Sequence, residues 1–331
     1  MIAINEIGGY FGLEQFAGTE YYENLISLNT ARNCLLYLLN ARNIKKLYIP
    51  YFLCDSVSGI CQSYGYKYEY YSTDFKFMPI FEKELSDTEY LYIVNYYGQV
   101  TEEKIYALKE KYSYIIVDNT QAFFQKPVTN IDTIYSCRKF FGVPDGAYLS
   151  TNVKLSDELE TDISGCRMKH ILGRYEGNAA DYYWDFKDSD ETFKSEPLKY
   201  MSKLTRNILG AVDYERVRNV RSKNYRYLAE RLDGENKLKL VEPIGAFAYP
   251  FYMGNASEIK RALAQKKIYI PTLWPNVLSQ MPKDSIEYDY TANILPLPCD
   301  QRYTTDDMQY VLEEMSKIYG EGKRVDISSG F

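Results

Sequence analysis

Two polar residues follow apolar runs, at places where a strand end can hold a reactive group. Asp118 follows the run YIIV, and Lys139 lies in SCRKFF, just after DTIY. A carboxylate at the end of a buried strand needs hydrogen bonds or a cationic partner to stay ionised, and a pyridinium nitrogen is one such partner. Desolvation of a lysine beside two phenylalanines favours the neutral amine, which forms Schiff bases.

Both residues also have a plainer interpretation. Asp118 in VDNTQA fits the N-cap of a helix that follows a strand–helix turn. Lys139 fits an exposed lysine whose aliphatic stem lies over Phe140. Taken one at a time, the local sequences favour these plainer interpretations.

A third candidate is the start of a predicted helix over residues 30–42, where the apolar positions follow helical spacing. Asn29 or Thr30 is the predicted N-cap, and Ala31 follows. The free N–H groups and the positive end of a helix bind anions such as a phosphate, although a capped helix without a ligand has the same sequence. After Lys139, VPDG predicts a turn in which Gly146 takes a conformation that other residues resist.

Composition narrows the class of function. The 331 residues carry a net charge of -6, with no basic face that would follow a nucleic-acid backbone. The single histidine, His170, excludes a metal site built from several histidines. Proton transfers in an enzyme of this composition would use Lys, Tyr, carboxylates or a cofactor.

The cysteines and the apolar runs predict a cytoplasmic protein. The six cysteines are scattered without a CxxC pair, which is typical of reduced thiols and not of a disulfide framework or zinc site. No apolar run reaches the length of a membrane span, and MIAINEIGGYFGLE lacks the pattern of a signal peptide. We therefore expect no membrane partner and no nucleic-acid partner.

The elements that must position these residues alternate between short apolar strands and helices, which predicts an α/β fold with a mostly parallel sheet covered on both faces. Polar residues at the strand ends of such sheets form the functional site. The predicted strands are 47–49, 67–71, 90–94, 114–117, 132–136 and 147–150, and a helix is predicted at 102–111.

The second half of the chain predicts a smaller α+β domain. Helices are predicted at 200–232, 256–267 and 306–318, strand material at 238–252, and a loop or insertion at 174–196. The tail GKRVDISSGF is expected to be frayed. We divide the chain into a large cofactor-binding domain, residues 1–200, and a small domain, residues 201–331.

Taken together and in order, these segments resemble the DegT/DnrJ/StrS family of sugar aminotransferases, which depend on pyridoxal 5'-phosphate (PLP) and have fold type I. The resemblance rests on the helix start at Asn29, the motif DNTQA from Asp118, and Ser136 with Lys139 before a Gly-containing turn. LYIPYFLCDSV, VNYYGQV and ILPLPCDQRYTTDDM resemble further family segments, so the likeness covers roughly residues 25–315.

The resemblance implies a role for each matched residue. Lys139 would be attached to PLP and would move the substrate proton. Asp118 would pair with the ring nitrogen, and Gln121 would lie near the ring hydroxyl. The backbone of Thr30 and Ala31, with Ser136, would bind the phosphate, and Asn29 at the same helix start would take part in cofactor binding. The family also implies a homodimer with a shared active site.

The chain departs from the family pattern at three places. Cys54 stands near the position of the aromatic residue that stacks on the cofactor ring, so Tyr51 or Phe52 is the predicted replacement. Ser136 lies three residues before the lysine, whereas the family has five. No Gly-Tyr-Asn-Tyr-Arg segment occurs near 165–180, where Arg174 or Asn178 are the available substitutes.

The leading hypothesis is a PLP-dependent aminotransferase that moves an amino group from an amino acid, glutamate, to a keto-sugar or nucleotide-sugar for polysaccharide or secondary biosynthesis. The presence of Lys139 opposes the related dehydratases, which have histidine there. The alternative is a catalytically silent protein of this fold that acts as a binding or regulatory subunit. An ordinary nucleotide-binding α/β protein is opposed by the lack of GxGxxG and GxxxxGK[ST] motifs.

Overall fold

The computed structural model describes residues 7–320 and places ten strands and eleven α-helices among them. The strands are β1 (Ile26–Leu28), β2 (Lys46–Pro50), β3 (Lys67–Thr73), β4 (Pro79–Ile80), β5 (Glu89–Val94), β6 (Ile115–Asp118), β7 (Asp132–Ser136), β8 (Ala147–Ser150), β9 (Tyr249–Tyr252) and β10 (Ile294–Leu297). The helices are α1 (Ala31–Ala41), α2 (Asp55–Ser63), α3 (Glu102–Tyr112), α4 (Lys169–Glu176), α5 (Tyr183–Thr192), α6 (Lys203–Gly210), α7 (Tyr214–Leu232), α8 (Ala256–Gln265), α9 (Val277–Gln280), α10 (Ile286–Asn293) and α11 (Thr305–Gly320).

An eight-stranded sheet in the order β1-β8-β7-β6-β5-β2-β3-β4 forms the centre of the larger part. Strands β3, β2, β5, β6 and β7 run parallel, while β8 and β4 are antiparallel to their neighbours. Strands such as IIVD and DTIYS are buried throughout because the sheet is covered on both faces. The predicted fold class, a mostly parallel sheet covered by helices, is confirmed.

The carboxyl ends of neighbouring parallel strands bring two predicted residues to one edge. Asp118 ends β6 and Ser136 ends β7, and the two strands pair in register with Asp118 opposite Ile134. Ligand sites in sheets of this kind lie beyond such strand ends. The topology therefore determines where a site can form.

A second antiparallel pair, β9 with β10, lies in the C-terminal part. It packs in a separate apolar core with side chains of α7, α8 and α11, including Leu228, Leu263 and Leu312. The helix α6 packs instead with residues of the larger part, since Leu209 shares a core with Phe123 and Tyr148. The domain boundary between residues 200 and 201 stays a prediction.

The six predicted strands of the main sheet are confirmed as β2, β3, β5, β6, β7 and β8, whereas the short strands β1 and β4 were not predicted. The helices predicted at 30–42, 102–111, 256–267 and 306–318 are confirmed to within a few residues. Residues 174–196 are not a loop, because they contain α5. Residues 200–232 are helical as predicted, and they form two helices because Asp213 caps a new helix by accepting from the Arg216 N–H. The tail GKRVDISSGF lies outside the described residues.

The predicted strand at 238–252 is reduced to β9. Pro243 and Gly245 explain the difference. Pro243 lacks a backbone donor, and Gly245 takes a left-handed conformation with φ 56°. A strand cannot pass through both positions, so regular pairing begins only at Tyr249.

Candidate active site

A cavity of about 320 Å³ lies at the carboxyl ends of β6 and β7, between the first turns of α1 and α2. Its volume is at the lower end of the range for small-molecule sites, roughly 300–1,000 Å³. All of the predicted site residues except Asn29 line it, namely Thr30, Ala31, Cys54, Asp118, Gln121, Ser136 and Lys139. The sheet and the two helix starts thus bring together segments that are far apart in sequence.

Asp118 is buried, with 5% of its surface exposed, and its two carboxylate oxygens have different partners. The Tyr92 hydroxyl donates to Oδ2 at 2.9 Å, and the Thr120 N–H donates to Oδ1 at 2.8 Å. No helix follows within residues 119–131, so the N-cap interpretation is wrong. Burial, and then the neighbouring Asp118 carboxylate, raise the pKa of Tyr92 well above its ordinary value, which keeps this hydroxyl a donor.

Lys139 lines the same cavity, but its side chain is exposed and the expected desolvation is not observed. Its Nζ donates to the Thr120 hydroxyl at 2.8 Å. Phe140 is buried, and the Arg221 guanidinium lies over its ring at 4.5 Å. Thr120 therefore connects the two principal groups, because its N–H binds Asp118 and its hydroxyl binds Lys139.

The turn that carries Lys139 is fixed from both sides. The Phe140 carbonyl accepts from Arg221 at 3.2 Å and from Gln301 at 2.7 Å, two residues of the C-terminal part. Burial lowers the pKa of Arg221 to about 10. On the other side, Asp145 accepts from the N–H and hydroxyl of Ser202 at 2.9 and 2.7 Å, at the start of α6.

Gly146 completes this turn. Its φ of 111° lies in the region that favours glycine, as the sequence predicted, and an added Cβ would come within 2.9 Å of Thr205. Its N–H donates to the Asn29 carbonyl at 2.6 Å. The turn after the lysine is therefore bonded directly to the residue before α1.

The start of α1 forms one wall of the cavity. Thr30 is the N-cap and its hydroxyl accepts from the Asn33 N–H. The first turn contains no acidic residue, so nothing within the helix balances its positive end. Asn29 is buried and is not among the residues that line the cavity, and its side chain binds the Pro197 carbonyl and Asn33. Its predicted part in cofactor binding stays a prediction.

Gln121 and Cys54 line the cavity at other points. The Gln121 side-chain oxygen accepts from the Tyr97 N–H at 2.8 Å. The Cys54 thiol lies 2.8 Å from the Ser56 hydroxyl at the start of α2. These contacts fix both side chains on the cavity wall.

The predicted replacements for a stacking aromatic do not reach the cavity. Tyr51 stacks on Tyr70, and Phe52 is buried in the core against Trp274. Trp274 itself lines the cavity from the C-terminal part. It was not identified from the sequence, because a lone tryptophan in a loop far along the chain has no pattern that relates it to Lys139.

Sequence reasoning also missed the charged and aromatic residues at the mouth. Arg32 and Arg138 line the cavity, each next to a residue that was identified. Helix α5 adds Phe186 and Asp190, and Phe193 directly follows the helix; all three lie in the segment predicted as a loop. Their positions in space could not be read from the sequence.

Arg174 and Asn178, the suggested substitutes for the missing family segment, lie elsewhere. They line a second cavity of about 700 Å³ with residues of α11 and of the stretch before it. They therefore do not contribute to the first cavity within one chain.

Residues 7–320 contain neither a membrane-spanning helix nor a cluster of metal ligands. None of the helices there is long and apolar enough to cross a membrane. In the same part of the chain, no cluster of three or more His, Cys, Asp or Glu side chains has an arrangement that could hold a metal ion.

The same arrangement of sheet and helices occurs in solved aminotransferases. A DegT/DnrJ/EryC1/StrS aminotransferase from Brucella abortus superposes with a TM-score of 0.60 over 89% of this chain and 86% of its own, at 14% identity. PseC from Helicobacter pylori, an aminotransferase involved in pseudoaminic acid biosynthesis, gives 0.57 over 89% and 86%, at 15% identity. NtdA from Bacillus subtilis, with the cofactor PMP bound, gives 0.61 over 88% and 73%, at 13% identity.

The chain has the fold of these aminotransferases. Neither a protein-family model nor a curated protein sequence matches it. With identities of 11–15% to the solved structures, the chain is a diverged form of this fold. The aminotransferase fold accounts for the position of the cavity at the ends of β6 and β7.

Proposed function

We propose that this protein is a PLP-dependent aminotransferase of the cytoplasm. The observation that carries the proposal is the presence of Asp118 and Lys139 in one cavity beside the start of α1, within this fold. The two residues are connected through Thr120 and lie at the ends of neighbouring strands. An aspartate with a purely structural role and an ordinary surface lysine would have no reason to line the same cavity.

The cavity residues fit PLP. The buried Asp118 carboxylate would hold the proton on the ring nitrogen, and the exposed amine of Lys139 is accessible for attachment. Thr30, Ala31 and Ser136 would bind the phosphate at the positive end of α1. PLP supplies an electron sink when bound, while Lys139, once released, takes and returns the substrate proton.

The proposed donor is an amino acid, glutamate, and the proposed acceptor is a keto-sugar or nucleotide-sugar. This part of the proposal is supported by the structural neighbours, among which CalS13 from Micromonospora echinospora is a sugar aminotransferase. A biosynthetic role in polysaccharide or secondary metabolism follows from that substrate class. The assay would combine glutamate with keto-sugar nucleotides and measure the formation of 2-oxoglutarate.

The first experiment is the visible absorption spectrum of the protein with PLP, before and after borohydride, followed by peptide mapping. We expect a band that borohydride fixes on Lys139, and we expect Lys139→Ala to lose both the label and turnover. Lys154→Ala, at an exposed lysine outside the cavity, is the control. A protein without a band or a labelled lysine would instead support the silent binding subunit.

The proposed assembly is a homodimer. Apolar side chains on α4, on α5 and just before them are exposed to an unusual degree, with Tyr175 at 91%, Trp184 at 73% and Ile163 at 85%. Apolar surface of this kind in a single chain is typical of a protein contact. Because Phe186 of α5 also lines the cavity, a second copy on this face would lie beside the site.

A further inference from the structure

Arg138 lines the cavity, and its guanidinium group makes only one long contact with a carboxylate among the described residues. Its Nη2 is 3.4 Å from Asp190 Oδ1, a single long contact. Arg302 and Asp300 show what a complete pair looks like in this molecule, with two parallel bonds of 2.7 and 2.8 Å. A guanidinium that matches a carboxylate forms two such short bonds, so Arg138 still has the geometry to bind a second carboxylate.

The surroundings of Arg138 fix its position without balancing its charge. The guanidinium stacks on Phe193 at 3.9 Å, and Phe193 is only 2% exposed. Arg32 adds positive charge nearby, whereas Arg167 is already paired with Asp162 and Glu196. Burial, together with these two arginines, lowers the pKa of Arg138 despite Asp190. Arg32 has no ion pair or hydrogen bond among the described residues. A cation in such a place gains from a further anion.

Asp190 is poorly suited to remain the permanent partner. Its side chain is 47% exposed, and α5, which carries it, buries only Ser189. The helix is held to α4 by contacts such as Lys169 with Asp185 and His170 with Phe186, which lie at its other end. The contact is single and long, and its Asp190 side is about half exposed, so displacing Asp190 costs little.

We propose that Arg138 binds a carboxylate of the amino donor, and that Asp190 occupies Arg138 until the donor displaces it. This inference rests on the proposed function. The group seen on Arg138 is itself a carboxylate, which is why we assign a carboxylate ligand to it and leave the phosphate to the start of α1. Arg138 directly precedes Lys139, so a bound donor would have its carboxylate on the same turn as the reacting amine.

The test measures glutarate binding by titration calorimetry to the full-length protein with PLP. Glutarate has the two carboxylates of glutamate and no amino group, so binding requires no turnover. Asp190→Asn removes the competing charge and should lower the Kd at least about threefold, while Arg138→Gln should raise it about tenfold or more. Asp188→Asn, an exposed carboxylate on the same helix outside the cavity, is the matched control and should leave the Kd unchanged.

A Kd for glutarate that is unchanged or higher in Asp190→Asn would overturn the inference. The same holds if Arg138→Gln binds glutarate as tightly as wild type, or if wild type shows no heat of glutarate binding. Because Asp190 is partly exposed, Asp190→Asn should fold, and its Kd tests the inference even if Arg138→Gln does not fold. Borohydride labelling of Lys139 separates the two proposals. Labelled protein with no effect of Asp190→Asn refutes only the inference, and unlabelled protein with the expected effect refutes only the proposed function.

Discussion

Two donors bind different oxygens of Asp118, and this arrangement determines what the residue can do. The Thr120 N–H is part of the local turn, whereas the Tyr92 hydroxyl comes from the neighbouring strand β5. One donor comes from the turn and the other from a neighbouring strand, so the carboxylate is held in a fixed orientation at the end of β6.

Replacement of Tyr92 by Phe tests this arrangement. The variant loses a bond to a charged group, and such bonds contribute about 1.5–3 kcal/mol, whereas bonds between neutral groups contribute about 0.5–1.5 kcal/mol. We expect a correspondingly larger fall in the free energy of unfolding than for Tyr112→Phe, whose buried hydroxyl donates to the neutral Phe81 carbonyl at 2.7 Å. Urea denaturation measures both, and equal losses would contradict the charged character of the Tyr92 bond.

At this scale the sequence predicted the reactive groups better than their partners. Asp118 and Lys139 follow apolar runs, which is a local signal. Tyr92 has no such signal, because a hydrogen bond between residues 26 positions apart depends on strand pairing. The contact between Thr120 and Lys139, 19 residues apart, likewise depends on how the chain folds. The same holds for Asn29, which lies next to the helix start in sequence but faces Pro197 in the structure.

Among the elements, the turn at Asp145 and Gly146 joins the lysine to the starts of two helices. Asp145 accepts from Ser202 at the start of α6, and the Gly146 N–H donates to the carbonyl of Asn29, which lies just before α1. The shape of this turn depends on a backbone conformation that residues with a side chain rarely adopt. The position of this turn, and with it the position of Lys139, therefore depends on Gly146.

Gly146→Ala should lower the free energy of unfolding by about 1–3 kcal/mol, since a side chain at a positive φ is strained and the new Cβ meets Thr205. Gly59→Ala is the control with the opposite expected sign. Gly59 lies within α2 with open space around it, so alanine there should stabilise the protein by about 0.5–1 kcal/mol. Thermal or urea denaturation that gave both variants the same sign would contradict this account.

The elements of the sheet were predictable because a strand buried on both faces has a continuous apolar run. Helix α5 was not, because it buries only Ser189 and so has no apolar stripe that repeats with the period of a helix. The segment 174–196, which was predicted as a loop, contains this helix and contributes residues to the mouth of the cavity. A helix whose positions are set by contacts at its ends, such as Phe193 with Arg138, does not show in the hydrophobic pattern.

For the molecule as a whole, the pH dependence of stability should depend in part on Lys260. Its amine has one hydrogen-bond partner, the Thr272 hydroxyl at 3.2 Å, and desolvation lowers its pKa from 10.5 to about 8. Below about pH 8 the amine is charged in both the folded and unfolded states. Between about pH 8 and 10.5 the unfolded chain binds more protons, so the free energy of unfolding rises with pH.

Lys260→Met should remove this contribution. We expect the variant to be more stable than wild type at pH 7 and to show a smaller rise between pH 8 and 10.5. Lys283→Met, at an exposed position, removes a lysine without removing a buried amine and is the control. Urea denaturation across this range measures the difference, and identical profiles for Lys260→Met and wild type would refute the assignment.

The proposed homodimer is tested at the same scale. Trp184→Asp places a charge on the exposed apolar face of α5 and should weaken self-association, because a charge buried in a contact is costly. Phe75→Asp, at another exposed aromatic, is the control. Sedimentation velocity over a range of concentrations gives the outcome, and a wild-type protein that remains monomeric throughout would refute the proposal.

The Phe140 carbonyl has a further consequence, which concerns the synthesis of the chain. Its two donors lie 81 and 161 residues later, at Arg221 and Gln301, and Trp274 of the cavity wall is also synthesised after Lys139. A nascent chain that has just exposed Lys139 from the ribosome cannot yet hold the lysine turn or close the cavity. Loading of a cofactor should thus be a late event in biosynthesis, which requires the chain to have been synthesised through Gln301.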